Sequence, residues 1–226
     1  MATDFKLACV LFDLDGTLVD TAPDLLACLN QAFRQHGFAT VDPVAVRPFI
    51  SYGAAAMIKD CLGDSATAAE QEALLNTMLE CYQNNIAEYS VFFSGMAETL
   101  AALEARGLKW GVVTNKRERF TLPLMAALQL AGRAACIVSG DTTAHPKPHA
   151  EPMLEACRRA AVQPWECVYV GDAHHDIVAG KNAQMKTLAA VYGYLKPDDR
   201  PETWGADALI SAPTELLTWI DTALCY

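Results

Sequence analysis

Six short apolar runs punctuate this sequence, and stretches of helical character separate them. Leu7 to Phe12 is the first. Trp110 to Val113, Cys136 to Val138, Val168 to Val170, Thr187 to Val191 and Ala208 to Ile210 follow. Between the later runs, Ala97 to Arg106, Glu118 to Leu128, Glu151 to Ala161 and Ile177 to Gln184 read as helices, and the first of these stops at Gly107, a residue suited to ending one. Short runs of continuous apolar character suit strands buried on both faces. Strand alternating with helix therefore predicts an α/β fold whose parallel sheet lies between two helical layers. Ligands of such sheets sit beyond the carboxyl ends of the strands. The polar clusters of this sequence fall there: Asp13-Leu14-Asp15 after the first run, Thr114-Asn115-Lys116 after the second and Gly171-Asp172 after the fourth.

The stretch from Thr21 to Tyr89 breaks the rhythm. It holds no convincing strand and reads as several helices, including Asp24 to His36, Ala54 to Cys61 and Ala68 to Glu88, punctuated by Pro43, Gly53 and Gly63. This predicts an inserted all-helical domain over residues 21–89, with residues 1–20 and 90–226 forming the α/β core.

Charge narrows the partners. The formal net charge is −10, so a nucleic acid or an anionic membrane, each of which needs a basic footprint, is not expected. A small anionic substrate stays compatible, because a bound cation inverts the local field. No apolar run approaches the ~18 residues of a membrane span. The start of the chain carries Asp4 and runs straight into a strand-like segment, without the pattern of a signal peptide. The eight cysteines (Cys9, Cys28, Cys61, Cys81, Cys136, Cys157, Cys167 and Cys225) are scattered through apolar stretches with no C-x-x-C pair. Free, mostly buried thiols in a reducing cytoplasm are the expectation.

The chemistry concentrates in Asp13-Leu14-Asp15-Gly16-Thr17-Leu18-Val19-Asp20. Two carboxylates at i and i+2 on extended backbone face the same side, where they share a divalent cation or divide nucleophile and acid/base work. Gly16 permits a tight turn against a ligand. A lone D-x-D reads equally as a solvated capping turn; the longer string is far more specific.

That string resembles the first motif of the haloacid-dehalogenase-like superfamily. The other three motifs occur in order: Val112-Val113-Thr114-Asn115-Lys116, then His145-Pro146-Lys147-Pro148, then Gly171-Asp172-Ala173-His174-His175-Asp176. The resemblance spans essentially the whole chain. It implies a Rossmann-like three-layer core with an inserted C1 cap, and a Mg²⁺-dependent phosphatase acting on a small phosphorylated metabolite. By this resemblance Asp13 is the nucleophile and Asp15 the acid/base. The ion is held by Asp13, the backbone carbonyl of Asp15 and Asp172, while Asp176 ligates it or orients a water on it. Thr114 and Asn115 bind phosphoryl oxygens, and Lys147 neutralises the nucleophile and the transferring group. A carboxylate nucleophile meets a phosphomonoester dianion through strong repulsion, which a hard cation and a lysine offset.

Other readings attach to several positions. Thr114 also suits a helix N-cap, Lys147 a surface charge, and Asp172 and Asp176 the favourable start of a helix. Ser51-Tyr52-Gly53 reads as a cap loop facing the site, with Arg47 and Lys59 as further candidates for an anionic substrate. His174 and His175 are adjacent on a helix, point apart, and so cannot readily chelate one ion. Ala173 departs from the hydroxyl or acidic residue of many relatives, which weakens an outer hydrogen bond. True dehalogenases lack an acid/base at Asp15. The strings Val112 to Lys116, Tyr192-Gly193-Tyr194 and Trp204-Gly205-Ala206-Asp207 resemble the phosphoglycolate-phosphatase-like branch. Within it the compact cap and the tail are similar to N-acetylmuramic acid 6-phosphate phosphatases. A phosphosugar mutase, a pyrophosphatase and a non-catalytic binding module are the alternatives on the same fold.

Overall fold

A computed structural model describes residues 6–223; Asp4 and Cys225 lie outside the described residues. The elements, in chain order, are β1 (Cys9–Phe12), β2 (Val19–Asp20), α1 (Ala22–Gln35), α2 (Pro43–Val46), α3 (Ala54–Leu62), α4 (Ala68–Asn84), β3 (Val91–Phe92), α5 (Met96–Ala105), β4 (Lys109–Val113), α6 (Glu118–Ala127), β5 (Ile137–Val138), α7 (Glu151–Ala160), β6 (Cys167–Gly171), α8 (His174–Asn182), β7 (Lys186–Ala190), β8 (Ala208–Ile210) and α9 (Glu215–Ala223). Six strands form one parallel sheet in the order β5-β4-β1-β6-β7-β8. This is the Rossmann-like α/β architecture expected from the alternation of runs. The strands begin and end within a residue or two of the apolar runs, because pairing with neighbours and not hydrophobicity alone sets their ends.

Period-two alternation builds the layers. Val10 and Phe12 of β1 pack with Val112, Val168 and Val170 against Met96, Leu100 and Leu103 of α5 and Leu216 and Ile220 of α9. Cys9 and Leu11 point to the opposite face, with Val113, Tyr169, Met153 of α7 and Ala179 of α8. Each strand is therefore buried on both sides, which is why it reads as continuously apolar. Helix α5 ends as its sequence suggests: Gly107 has φ +71°, its N–H donates to the Glu104 carbonyl at 3.0 Å, and the Leu108 N–H donates to the Leu103 carbonyl at 3.0 Å, a Schellman closure.

The chain leaves β1 for β4 on one side of the sheet and later returns to β6 on the other, so β1 stands at the switch point. The crevice beyond its carboxyl end is where such sheets receive ligands. Asp13 follows β1, Thr114 follows β4 and Asp172 follows β6, so the topology gathers them.

Residues 22–82 contribute a separate apolar cluster, with Leu26, Leu29 and Phe33 of α1, Met57 and Ile58 of α3, and Leu74, Met78 and Tyr82 of α4. Helix α4 starts with a capping box: the Thr67 hydroxyl accepts the Glu70 N–H at 3.3 Å and Glu70 accepts the Thr67 N–H at 2.7 Å. It stops at Asn84, short of the expected Glu88. The segment's two ends are joined by an antiparallel ribbon absent from the sequence reading, in which Val19 pairs with Phe92 and Asp20 with Val91. Ser51 and Tyr52 lie in a 3₁₀ turn, Arg47–Tyr52, rather than an open loop.

Asp24 near the start of α1 secures the return. It is buried, and its carboxylate accepts the N–H groups of Tyr89 at 2.9 Å and Ser90 at 2.8 Å together with the Ser90 hydroxyl. Replacing Asp24 by Ala strands these donors and is expected to cost about 2–4 kcal/mol, within the range for orphaned buried groups that bonded a carboxylate. A lowered urea midpoint with an unchanged slope checks this.

Candidate active site

Lys147 lies at the centre of the site. Its side chain is fully buried, and Nζ is 2.8 Å from Asp13 Oδ1 and 2.7 Å from Asp176 Oδ1. It also donates to the Val113 carbonyl at 3.0 Å and to the Tyr169 hydroxyl at 2.9 Å. The loop that carries it is clamped by Asn115: the Lys147 N–H donates to Asn115 Oδ1 at 3.0 Å, and Asn115 Nδ2 donates to the Lys147 carbonyl at 3.1 Å. The Asn115 side chain thus has a positioning contact besides the backbone N–H considered from the sequence.

Asp172 is held by donors from three distant parts of the chain. Thr17 Oγ1 donates to Oδ1 at 2.9 Å, Ser51 Oγ to Oδ2 at 2.8 Å and the Tyr194 N–H to Oδ2 at 2.9 Å. Asp176 bonds Lys147 through Oδ1 and accepts the Ala173 N–H through Oδ2 at 3.1 Å, so it also closes the first turn of α8. Gly16 has φ +88°, and a Cβ there would overlap the Asp172 carboxylate, so close approach requires glycine at this position.

Asp15 faces a different partner. Its carboxylate pairs with Lys116 Nζ at 2.9 Å and accepts the Thr21 hydroxyl. Lys116 Nζ also lies 4.6 Å from the centre of the Tyr82 ring. The Thr114 hydroxyl accepts the Lys116 N–H at 3.1 Å, and its own proton finds no acceptor among the described residues. Asp13, Asp15, Thr114, Asn115, Lys147, Ser51, Tyr52, Gly53 and His175 all line one cavity of about 710 Å³. Tyr52 packs edge-on to His175 and lies under Lys196 Nζ, 3.6 Å from its ring centre. Arg47 and Lys59 do not line the cavity: Arg47 pairs with Asp20 at 2.8 Å and stacks on Tyr194, while Lys59 is exposed. His174 packs on Trp204, away from His175.

Sequence reasoning passed over Lys116, Thr17, Tyr169, Tyr82 and Tyr194. Lys116 and Thr17 stood inside motif strings already singled out, which was the available signal. Tyr194 likewise stood inside the string Tyr192-Gly193-Tyr194, whereas Tyr169 and Tyr82 carried none.

The electrostatics test whether a cation fits. Asp13, Asp172 and Asp176 bring carboxylate oxygens within 4.8 Å of one another, all three buried. One ammonium pairs with two of these three carboxylates, Asp13 and Asp176. Burial pushes Asp13 up to about 8, aided by Asp176 and Asp172 and opposed by Lys147. Burial, with Asp176 beside it, pushes Asp172 up to about 6. Burial disfavours charge at Asp176 as well, but the Lys147 ammonium, the neighbouring His175 and the hydrogen bonds from Lys147 and the Ala173 N–H together hold Asp176 below the usual carboxylate range. An excess of buried negative charge on an all-oxygen donor set fits a hard divalent cation. The Asp15 carboxylate is not part of this set. Burial lowers the His175 imidazole.

The chain is similar to known proteins along nearly its whole length. A family model described as haloacid dehalogenase-like hydrolase matches residues 10–190. The chain is 44% identical over 221 residues to an N-acetylmuramic acid 6-phosphate phosphatase of Pseudomonas aeruginosa, covering 97% of each chain. It is 40% identical to a phosphoglycolate phosphatase of Xanthomonas campestris, covering 92% of this chain and 93% of that one. A crystal structure of a predicted phosphoglycolate phosphatase from Haemophilus somnus superposes with a TM-score of 0.84 at 26% identity, covering 97% of this chain and 100% of that one.

The raised acids make metal-free stability pH-dependent. Their folded forms hold protons that the unfolded chain releases near the ordinary value of 3.8, so their contribution is full below that value and lost as pH rises through about 6 and about 8. Thermal melts in EDTA are expected to fall across that window. A divalent cation, which binds the ionised carboxylates, is expected to flatten the slope.

Proposed function

The chain belongs to the haloacid dehalogenase-like hydrolases and is a phosphatase, and from this premise we propose that it is Mg²⁺-dependent, works through a phospho-aspartate and takes N-acetylmuramic acid 6-phosphate as substrate. The observation that carries the chemistry is the convergence of Asp13, Lys147, Asp172 and Asp176 below a cavity that also receives Asp15 and Thr114.

Asp13, Asp172 and Asp176 would hold the cation, with the Asp15 carbonyl as a further ligand in this reading. Such an ion supplies the positive charge that lets a carboxylate approach a phosphoryl dianion. An Asp13 oxygen forms the bond to phosphorus as the bond to the ester oxygen breaks. Asp15, held by Lys116 and Thr21, gives its proton to the departing alkoxide. It then takes a proton from water, whose oxygen attacks the phosphorus, releasing phosphate and restoring Asp13. Lys147 fixes Asp13 and offsets the charge that spreads over the phosphoryl oxygens. The free proton of the Thr114 hydroxyl and the backbone N–H of Asn115 supply donors to those oxygens.

The helical segment 21–89 would act as a cap over this site, with the β2–β3 ribbon as its two connections to the core. The cavity, about 710 Å³, gives far more room than a two-carbon acid needs and suits a sugar-sized leaving group. The similarity to a phosphatase of that sugar phosphate supports the same choice. A second reading, 2-phosphoglycolate, rests on the relative of that activity at 40% identity. The seven described cysteines are thiols, which suits a cytoplasmic setting as part of this proposal. Among the described residues no helix is long and apolar enough to cross a membrane.

Phosphate release from a panel containing both compounds, with Mg²⁺ and with EDTA, tests the reading. Metal-dependent release with a higher kcat/KM for the amino-sugar phosphate is the expected outcome. Isomerised sugar without free phosphate would instead mark a mutase. Replacing Asp13 by Asn is expected to lower kcat by at least about 10³-fold while the fold persists. Near-normal turnover in that variant would rule out the covalent route.

A further inference from the structure

The cavity contains more positive charge than the phosphoryl chemistry uses. Of its acidic side chains, Asp13 pairs with Lys147 and Asp15 with Lys116. Two further cations, Arg117 and Arg119, line the same cavity, and neither guanidinium makes an ion pair or hydrogen bond among the described residues. This occurs in a chain of net charge −10, where surface carboxylates are abundant. Both side chains are exposed, as are the unpaired Arg34, Lys59 and Lys181; what sets Arg117 and Arg119 apart is their place on the wall of the ligand cavity, where a guanidinium can meet an anion carried by the ligand.

Arg119 is also held in place. Its guanidinium carbon lies 4.5 Å from the centre of the Phe120 ring, and Phe120 is buried. Phe120 packs on Tyr82 with ring centres 5.5 Å apart. Tyr82 in turn carries Lys116 over its face, and Lys116 holds Asp15. A continuous series of packed groups therefore runs from the acid/base to Arg119. Because Asp15 serves the departing oxygen, this series marks the leaving-group side. Leu25, Met57, Leu75 and Leu79 supply apolar wall to the same cavity. A carboxylate one carbon from the ester oxygen stays close to Asp15 and Lys116. A carboxylate carried across a sugar ring would lie farther from the phosphate, along the wall that Arg119 lines.

We infer that Arg119, with Arg117 beside it, forms a carboxylate-binding subsite for the leaving group, and that it selects phosphorylated sugars bearing a carboxylate remote from the phosphate. The inference rests on the phosphatase reading above and assigns its specificity to residues of α6 and the turn before it. Planar guanidinium suits a carboxylate better than an ammonium does, because its parallel N–H groups match the two oxygens.

A matched substrate pair isolates the subsite. N-acetylmuramic acid 6-phosphate and N-acetylglucosamine 6-phosphate differ only in the lactyl ether that carries the carboxylate, and p-nitrophenyl phosphate reports the chemistry independently. The wild-type protein with Mg²⁺ is expected to prefer the carboxylate-bearing sugar in kcat/KM by about 10- to 100-fold, the range for a charged hydrogen-bonded contact. Arg119→Ala is expected to reduce that preference to near unity, chiefly through KM. Arg119→Lys should retain an intermediate preference, and thermal melts of both variants report folding. Equal kcat/KM for the two sugars in the wild-type protein, or an undiminished preference in Arg119→Ala, overturns the inference. Release from p-nitrophenyl phosphate but from neither sugar also overturns it and leaves the phosphatase chemistry standing. No release from any of the three overturns the phosphatase reading and the subsite together.

Discussion

A single buried ammonium organises the reactive end of this fold. Lys147 Nζ reaches the carboxylates of Asp13 and Asp176, the Val113 carbonyl and the Tyr169 hydroxyl. These groups come from the ends of β1 and β4, from β6 and from the first turn of α8. An unpaired charge at such a site would be costly, so each partner specifies where the others stand. The loop bearing Lys147 is itself held to the end of β4 by the paired amide contacts of Asn115. Donors and charges are therefore in position before any ligand arrives, the condition under which electrostatic stabilisation is most effective. The remaining excess of carboxylate over ammonium is what the divalent cation of the proposed mechanism would neutralise.

Asp172 links this centre to the helical segment above it. Ser51, on the 3₁₀ turn, donates directly to its carboxylate, while Thr17 and Tyr194 hold it from the core side. A second tie runs from Arg47 to Asp20, with the Arg47 guanidinium over the Tyr194 ring and the Tyr194 hydroxyl donating to Asp20 at 2.7 Å. Tyr194 thus takes part in both ties. Any displacement of Ser51 changes the hydrogen bonding of Asp172, so the position of the 3₁₀ turn and the state of the carboxylate are physically coupled. The pair Tyr52 and His175, packed edge to face at the cavity wall, lies on the same boundary.

Motif residues were legible because their chemistry constrains their neighbours. Asp13, Asp15, Thr114, Asp172 and Asp176 each sit at or just past a strand end or at a helix start, and those ends are marked by hydrophobic periodicity, while Lys147 lies in the loop before α7. The ribbon between Val19–Asp20 and Val91–Phe92 was not legible, since two-residue strands have no period to detect. Tyr169 and Tyr82 are core aromatics; their further contacts with Lys147 and Lys116 follow only from where their rings end. Arg47 illustrates the converse. A cation on the helical segment invited a substrate role, and the fold gives it to Asp20 instead.

Sequence by itself determined the parallel sheet, the helical character of the stretch between its first and second strands and the acidic, lysine-containing character of the loops at the strands' carboxyl ends. Those properties follow from local periodicity and from residue chemistry, which neighbours in sequence suffice to express. Tertiary structure decided which cation serves which carboxylate: Lys147 goes to Asp13 and Asp176, Lys116 to Asp15, Arg47 to Asp20, and Arg117 and Arg119 to none among the described residues. Pairing of that kind depends on distances of a few ångströms between residues up to about a hundred or more positions apart. Only the packed sheet and the helices above it set those distances.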